Sequence, residues 1–481
     1  MPHNRQLILS AVAVLAVLAG TTLATEKTDF RWRPFEAVVR PPVPAGERHP
    51  VDAFLAAARR ENGLNARPEA SKYVLLRRVS LDLIGLPPTR ADLDAFLADP
   101  SADAYEKVVD RLLASPQYGE RWGRHWMDVW RYSDWAGYGK EVRESLPHIW
   151  QWRDWIIESL NADKGYDRMV REMLAGDEIA PTDPATLRAT GYLARNSYIF
   201  NRNVVLDNMV EHTAKAFLGL TLNCARCHDH MYDPIPQTEY YSFRAIFEPC
   251  LARTDRVPGH VDPKEFGLPR IYDAQPETKT YMFVRGNEKS PDKDKPCPPA
   301  VPKALGGTAF AITPVKLPRE GFKPERRPFV VADDRAAARR EILTAQDAAK
   351  SAQVKLARAV AATFGPSLVR AVTAAPAVPP AARALEISRL DGQLAQTRFA
   401  ALEAVLAAEA LEDAGTLNTA DGQRAAEVAV IAQRQRGVAQ ARRDLLAAEI
   451  AAETGETKAR ATAASKVPAA KTALAKAETD A

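Results

Sequence analysis

The sequence predicts a mainly α-helical fold: a multi-helix globular region, an irregular Pro- and Gly-rich segment, then an Ala-rich helical hairpin or coiled-coil tail. Three observations lead there. Between residues 51 and 250 helix follows helix, each with its own boundary signals. From Leu251 to about Asp334 that pattern loosens among prolines and glycines. From Arg335 to Ala481 the chain is dominated by Ala, Glu, Arg, Lys and Leu, with no Cys, His or Trp.

The first residues, 1–24, read as an export signal. Arg5 precedes an apolar run from Leu7 to Ala19 and a small-residue stretch ending Thr22-Leu23-Ala24, so cleavage falls after Ala24. The run is shorter than the roughly 20 residues of a comfortable membrane span; left uncleaved, it would tether the chain as an N-terminal anchor. A Pro-rich connector, residues 25–50, follows; Pro41-Pro42 and Pro44 make it extended.

The helical domain, 51–250, opens with Val51 to Glu61, which stops at Asn62-Gly63. Ser71 caps a segment that runs to Ile84 and ends at Gly85, with Pro87-Pro88 beyond. Thr89 with Asp92 opens the next helix, and Ser101 caps one that ends before Pro116. All eight tryptophans lie between Trp32 and Trp155. Trp122, Trp126 and Trp130, four apart, line one side of a helix, a stripe that serves core packing or an apolar cofactor wall. In the irregular segment, 251–334, only Thr280 to Arg285 has the look of a strand. In the tail, 335–481, breaks at Gly365-Pro366, Pro376 to Pro380, Gly415 and Gly455 predict three or four helices folding back as hairpins. Their stripe is mostly Ala, which buries little area, so the tail is expected to be a thin coiled coil or stalk with a spacing or partner-binding role, or else a weakly ordered low-complexity tail.

The formal net charge is +4, and Lys and Arg alternate with Asp and Glu almost everywhere. Such a chain lacks the concentrated basic face of a nucleic-acid binder or of a protein drawn to a membrane surface. Four cysteines in 481 residues do not make a disulfide-stapled scaffold.

The chemistry is concentrated in Cys224-Ala225-Arg226-Cys227-His228, followed by Asp229-His230-Met231-Tyr232-Asp233-Pro234. Two thiols three apart on a helical turn, with a histidine directly after, is the pattern that attaches a c-type haem: the thiols add across the vinyl groups and the imidazole is placed under the iron. Chance yields such a string in roughly one sequence in two thousand of this composition. Cys224 and Cys227 are therefore the expected covalent anchors of one haem c, and His228 its proximal metal ligand. Two other readings of the cluster stay open: a zinc site using Cys224, Cys227 and His228 or His230, or a redox dithiol between the two thiols.

The sixth ligand must come from elsewhere, since His230 and Met231 follow His228 too closely to reach the opposite face. His125 lies three residues after Trp122 and three before Asp128, whose carboxylate is placed to orient its imidazole. Met209, His212, His148 and Met282 are further candidates. Cys250 and Cys297 are a possible disulfide outside the cytoplasm. Asp177, Glu178 and Asp233 are acidic candidates for an enzyme, although such residues more often serve as caps or in ion pairs.

With these strings in hand, the chain resembles a planctomycete cytochrome-associated family, domain of unknown function 1549, over about Arg31 to Gly307. The resemblance rests on Val79 to Pro88, Tyr118 to Trp126, Leu174 to Asp177, Phe217 to Thr221, the cysteine string through Asp233-Pro234, and Val284-Arg285-Gly286. It implies export and a redox role, favours His125 as distal ligand, and implies that Asp229 and His230 support the haem site. Similar proteins continue after a helical spacer into a second domain, 1553. Nothing like it is found here, so a short or truncated form is expected.

The expected function is electron transfer by an exported, periplasmic or cell-surface haem protein with an undetermined redox partner. The alternatives are an enzyme using an open haem or carboxylates on a substrate such as a polysaccharide, and a scaffold whose cysteine cluster is structural and whose coiled arm recruits partners.

Overall fold

Helix boundaries follow the capping chemistry closely. The first helix, α1 (Pro50–Glu61), opens where His49 Nδ1 accepts the Val51 N–H and closes at Asn62, with Gly63 at φ +63°. Ser71 occupies the N-cap position of α2 (Lys72–Leu83) without a side-chain capping bond, and Gly85 follows at φ +72°. In front of α3 (Arg90–Ala98), Thr89 and Asp92 form a reciprocal capping box. Helix α4 (Ala104–Leu113) begins where the Ala104 N–H donates to the Ser101 carbonyl at 3.2 Å. Then come α5 (Pro116–Val129), α6 (Trp150–Asn161), α7 (Tyr166–Ile179), α8 (Arg202–Thr213) and α9 (Gln237–Arg244).

This computed structural model describes residues 39–133, 146–195, 201–306, 312–364, 378–454 and 457–481. The export signal, most of the connector, and the helix breaks expected at Gly365-Pro366, at the start of Pro376 to Pro380, and at Gly455 lie outside the described residues, whereas Pro379 and Pro380 lie in the first turn of a helix. Among the described residues no helix is long and apolar enough to cross a membrane.

The chain divides into two units. Described residues of the first lie within 39–112, 213–248 and 278–312. One of its cores joins α2, α3 and α4 through Leu76, Val79, Phe96, Ala104, Val108 and Leu112, all buried. Fully burying a side chain such as Leu76 stabilises by about 1.5–3 kcal/mol. Elsewhere in this unit α9 contributes Tyr240, Tyr241 and Phe243 to the interior, the Tyr241 ring standing edge-on to Phe283 at 5.4 Å.

Described residues of the second unit lie within 113–212, 249–277 and 313–481. Helices α5 and α6 approach closely because Gly119 has no side chain: a Cβ there would meet the Ile157 carbonyl at 2.5 Å, and the Gly119 N–H donates to Asn161 Oδ1 at 2.8 Å. Of the tryptophan stripe, Trp130 is buried and packs the interior while Trp122 is 37% exposed; Trp152 and Trp155, on α6, are buried as well.

Residues 251–334 hold more regular structure than their sequence suggests. Strand β1 (Cys250–Arg256) pairs antiparallel with β2 (Gly267–Asp273) in the second unit, and β3 (Thr280–Phe283) pairs antiparallel with β4 (Pro291–Cys297) in the first. Apolar alternation is missing because β4 is a polar edge, Pro-Asp-Lys-Asp-Lys-Pro-Cys, while β1 and β2 bury charge. Asp255, 2% exposed, receives Arg253 at 2.8 Å, Arg327 at 2.9 Å and Arg270 at 3.0 Å. A buried carboxylate surrounded in this way satisfies charges that would otherwise be costly.

The tail forms four long helices, α10 (Pro328–Phe364), α11 (Val378–Asp413), α12 (Ala420–Thr454) and α13 (Thr457–Asp480), each packed on the next. Gly415, at φ +71°, marks one of the expected breaks. The stripe is indeed Ala-rich: Ala345, Ala352, Ala395, Ala401, Ala429 and Ala432 are buried. Ion pairs supplement it, with Arg335 on Glu403 and Arg398 on Glu341 at 2.6 Å, Arg443 on Asp391 and Arg442 on Glu478 at 2.9 Å.

Candidate functional site

After α8 the backbone passes through a wide turn, Ala214–Leu218, that ends at Gly219 in the left-handed region, φ +67°. It then tightens into one 3-10 turn, Leu222–Arg226. With three residues per turn, positions three apart lie over one another. Leu222 and Ala225 therefore face inward, both fully buried, while Cys224 and Cys227 face outward, both free and exposed. His228 follows on the exposed side.

The turn is held from behind by α9. Gln237 Nε2 donates to the Arg226 carbonyl at 2.9 Å and to the Phe283 carbonyl at 3.0 Å, tying the turn to β3. Tyr241 Oη donates to the same Arg226 carbonyl at 3.0 Å. Asp229 Oδ1 accepts the Gln237 N–H at 2.7 Å, one of the donors that a helix start leaves without an intrahelical partner. Gln237 was not singled out from the sequence; the only hint was its place at a helix start just after Pro234 and Pro236.

The two histidines have opposite tautomers, assigned from their partners. His228 Nδ1 lies 2.6 Å from the Asp229 carbonyl, which can only accept, so Nδ1 carries the proton and Nε2 keeps its lone pair. His230 Nδ1 accepts two backbone N–H groups, from Tyr232 at 3.2 Å and Asp233 at 2.9 Å. Its proton is thus on Nε2, 3.0 Å from Thr221 Oγ1 and 3.5 Å from Asp233 Oδ2. The His230 side chain is 5% exposed and bonded on both nitrogens, whereas His228 is exposed with a nitrogen to offer.

Gly286 stands beside the second thiol. Its φ is +71°, and a Cβ there would overlap Cys227 Sγ and stand 3.3 Å from Cys227 Cα. The preceding Arg285 also has positive φ, +52°. Only glycine leaves the Cys227 sulfur clear.

The remaining candidates are placed as follows. His125 is exposed on α5 of the second unit, with the Trp122 ring edge-on at 5.4 Å. The expected orienting carboxylate goes elsewhere: Asp128 pairs with Arg124 at 3.0 Å, because a permanently charged guanidinium one turn back outcompetes the imidazole for it. Met209 is buried, and His148 sits against Phe266 with Nε2 3.3 Å from the Lys264 carbonyl. All four cysteines are free, so Cys250 and Cys297 form no disulfide here; Cys250 Sγ donates to Asp273 Oδ1 at 3.4 Å. Among the described residues no three His, Cys, Asp or Glu side chains converge as a metal-ion site. With His230 saturated, the donors that the cysteine string still offers a metal ion are Cys224, Cys227 and His228.

Asp177, 7% exposed, follows a kink in α7 at Ala175, where φ is −145°. Burial pushes its carboxyl up to about 7; the Asp273 carboxylate adds to the rise and Arg270 opposes it. Glu178 and Asp273 are raised mainly by burial as well. This acidic group shares the second unit with the Asp255 arginines, and Arg270 acts on both Asp177 and Asp255.

No curated protein and no solved structure matches the chain. The stretch that runs from α1 through the tryptophan helices and the cysteine string to the start of β1, residues 50–251, matches the family model PSCyt2, protein of unknown function (DUF1549).

Proposed function

We propose that the chain carries one covalently attached c-type haem at Cys224 and Cys227, with His228 as axial ligand, and serves in electron transfer outside the cytoplasm. The observation that carries this reading is the one-turn helix whose buried side is Leu222 and Ala225 and whose outer side offers two free thiols followed by an imidazole. The donor set fits: thiols three apart on eclipsed positions, a histidine whose Nδ1–H is held by a carbonyl so that Nε2 is available, and a glycine that clears the second sulfur. A haem bound there supplies one-electron chemistry at a potential set by its axial ligands.

The residues of the chain do the positioning. Cys224 and Cys227 fix the group covalently, the Asp229 carbonyl sets the His228 tautomer, and Gln237 with Tyr241 holds the turn rigid through the Arg226 carbonyl. His125 stays the nominee for the sixth position; an unchanged low-spin spectrum in His125→Ala would remove it. The partner is a redox protein of undetermined identity, the tail is a candidate partner-binding arm, and nucleic acid is not expected to bind.

The test is intact-mass measurement of the exported chain made in a host with a working c-type maturation system. The expected result is the increment of one haem, resistant to acid-acetone extraction and lost in Cys224→Ala with Cys227→Ala. A mature chain without that increment in such a host refutes the proposal.

A further inference from the structure

Among the side chains around the cysteine string, His230 makes contacts on both of its nitrogens that reach both ends of the pentapeptide. Nδ1 accepts from Tyr232 and Asp233, which follow His228 in sequence, and Nε2–H points to Thr221, which precedes Cys224. The backbone closes the same loop, since the His230 N–H donates to the Ile235 carbonyl at 2.9 Å and the Cys224 N–H to the Thr221 carbonyl at 2.9 Å. We infer that His230 is a positioning residue: it staples Thr221 to the Tyr232–Asp233 turn and thereby holds His228 with Nδ1–H against the Asp229 carbonyl and Nε2 outward. The inference rests on the haem reading for its purpose, but the staple itself belongs to the polypeptide.

A free imidazole prefers the proton on Nε2, the opposite of what His228 shows. Its Nδ1–H form therefore has to be imposed by the fixed position of the Asp229 carbonyl, and Asp229 is the one residue between His228 and His230 in the chain. Asp229 is further fixed by its carboxylate on the Gln237 N–H. The exposed side chains of Met231 and Tyr232, 75% and 89% accessible, contribute no packing that could replace the staple.

The experiment uses the full chain with isotope-labelled histidine and no haem, so that it reads the staple apart from the haem proposal. Ring-nitrogen shifts should give Nδ1–H at His228 and Nε2–H at His230. In His230→Ala, His228 should revert to mixed tautomers, and amide exchange at Tyr232 and Asp233 should rise about fivefold or more, the loss of one hydrogen bond each. His230→Asn should restore amide protection, because its side-chain oxygen accepts from the same two N–H groups, without restoring the Thr221 contact. Should His230→Ala fail to fold, Thr221→Val removes one arm of the staple and should still disturb His228. In the haem-loaded chain, His230→Ala should keep both thioether bonds while changing the low-spin spectrum. An unchanged His228 tautomer and unchanged exchange in His230→Ala, or an unaltered spectrum in a variant that has lost the amide protection, overturns the inference. Absence of haem from the wild-type chain defeats the haem reading alone, and the tautomer measurement still decides the staple.

Discussion

Replacing Asp177 by Asn should stabilise the second unit at alkaline pH, an unusual direction for a buried polar residue. The carboxyl ordinarily titrates at 3.8 and here is pushed up to about 7, first by burial and then by Asp273. Because the folded value lies above the unfolded one, the charged form is the disfavoured one in the fold. Below 3.8 the group is protonated in both states and contributes nothing. Between 3.8 and about 7 folding stability falls as pH rises, and above about 7 the full penalty is present. That gap corresponds to about 4 kcal/mol at 1.36 kcal/mol per pH decade. Asn keeps the shape and never ionises, so Asp177→Asn should be near neutral at pH 4 and stabilising by up to about 4 kcal/mol at pH 8. Calorimetric unfolding of both chains from pH 4 to 8 measures this, each kcal/mol moving the midpoint of this large unit by about 2 °C, the low end of the range for domains of 150–250 residues. A difference between the two chains that stays constant across that range, or a variant less stable at pH 8, refutes the reasoning.

Two further substitutions test the packing around the site and the buried charge. Gly286→Ala combines a left-handed φ with overlap onto Cys227 Sγ; it should cost at least about 2 kcal/mol and lower haem attachment, read together by urea unfolding and intact mass. A fully loaded, equally stable variant would show that Gly286 clears nothing. Asp255→Asn leaves Arg253, Arg270 and Arg327 without their shared carboxylate and should destabilise by about 3–5 kcal/mol, measured by the shift in urea midpoint at constant slope; a cost below about 1 kcal/mol would mean that solvent compensates these arginines.

What could be read from the sequence is the chemistry that acts within a few residues. Asn62-Gly63, Gly85 and the Thr89–Asp92 box announce helix ends because a cap is a local device. The cysteine string is equally local, since its spacing alone decides which side of a turn the thiols occupy. What was hidden depends on partners far along the chain. Strands β1 and β2 look irregular because Asp255 and Arg270 occupy buried places, and only the folded structure brings Arg327 to them. Gln237 reaches Phe283, 46 residues away, through a carbonyl that carries no sequence signal. Spacing points Asp128 at His125, but the i−4 position is as near as the i−3 one, and Arg124 there takes the carboxylate. The tautomers of His228 and His230 follow from which atoms surround each ring, and identical residue types two apart give no warning that one is saturated and the other open.

The cross-helix rungs of the tail fix how far each helix may slide along its neighbour. Arg335 with Glu403 and Glu341 with Arg398 advance in step along α10 while receding along α11, and Arg443 with Asp391 does the same work between α11 and α12. A stripe of alanines is nearly featureless and would tolerate a slip of one turn, about 5.4 Å, with little loss of contact. The same slip parts every rung at once and sets these charges opposite residues that cannot pair with them. Exposed rungs add little to cohesion. Their effect is to choose one alignment among many that the alanines alone would accept.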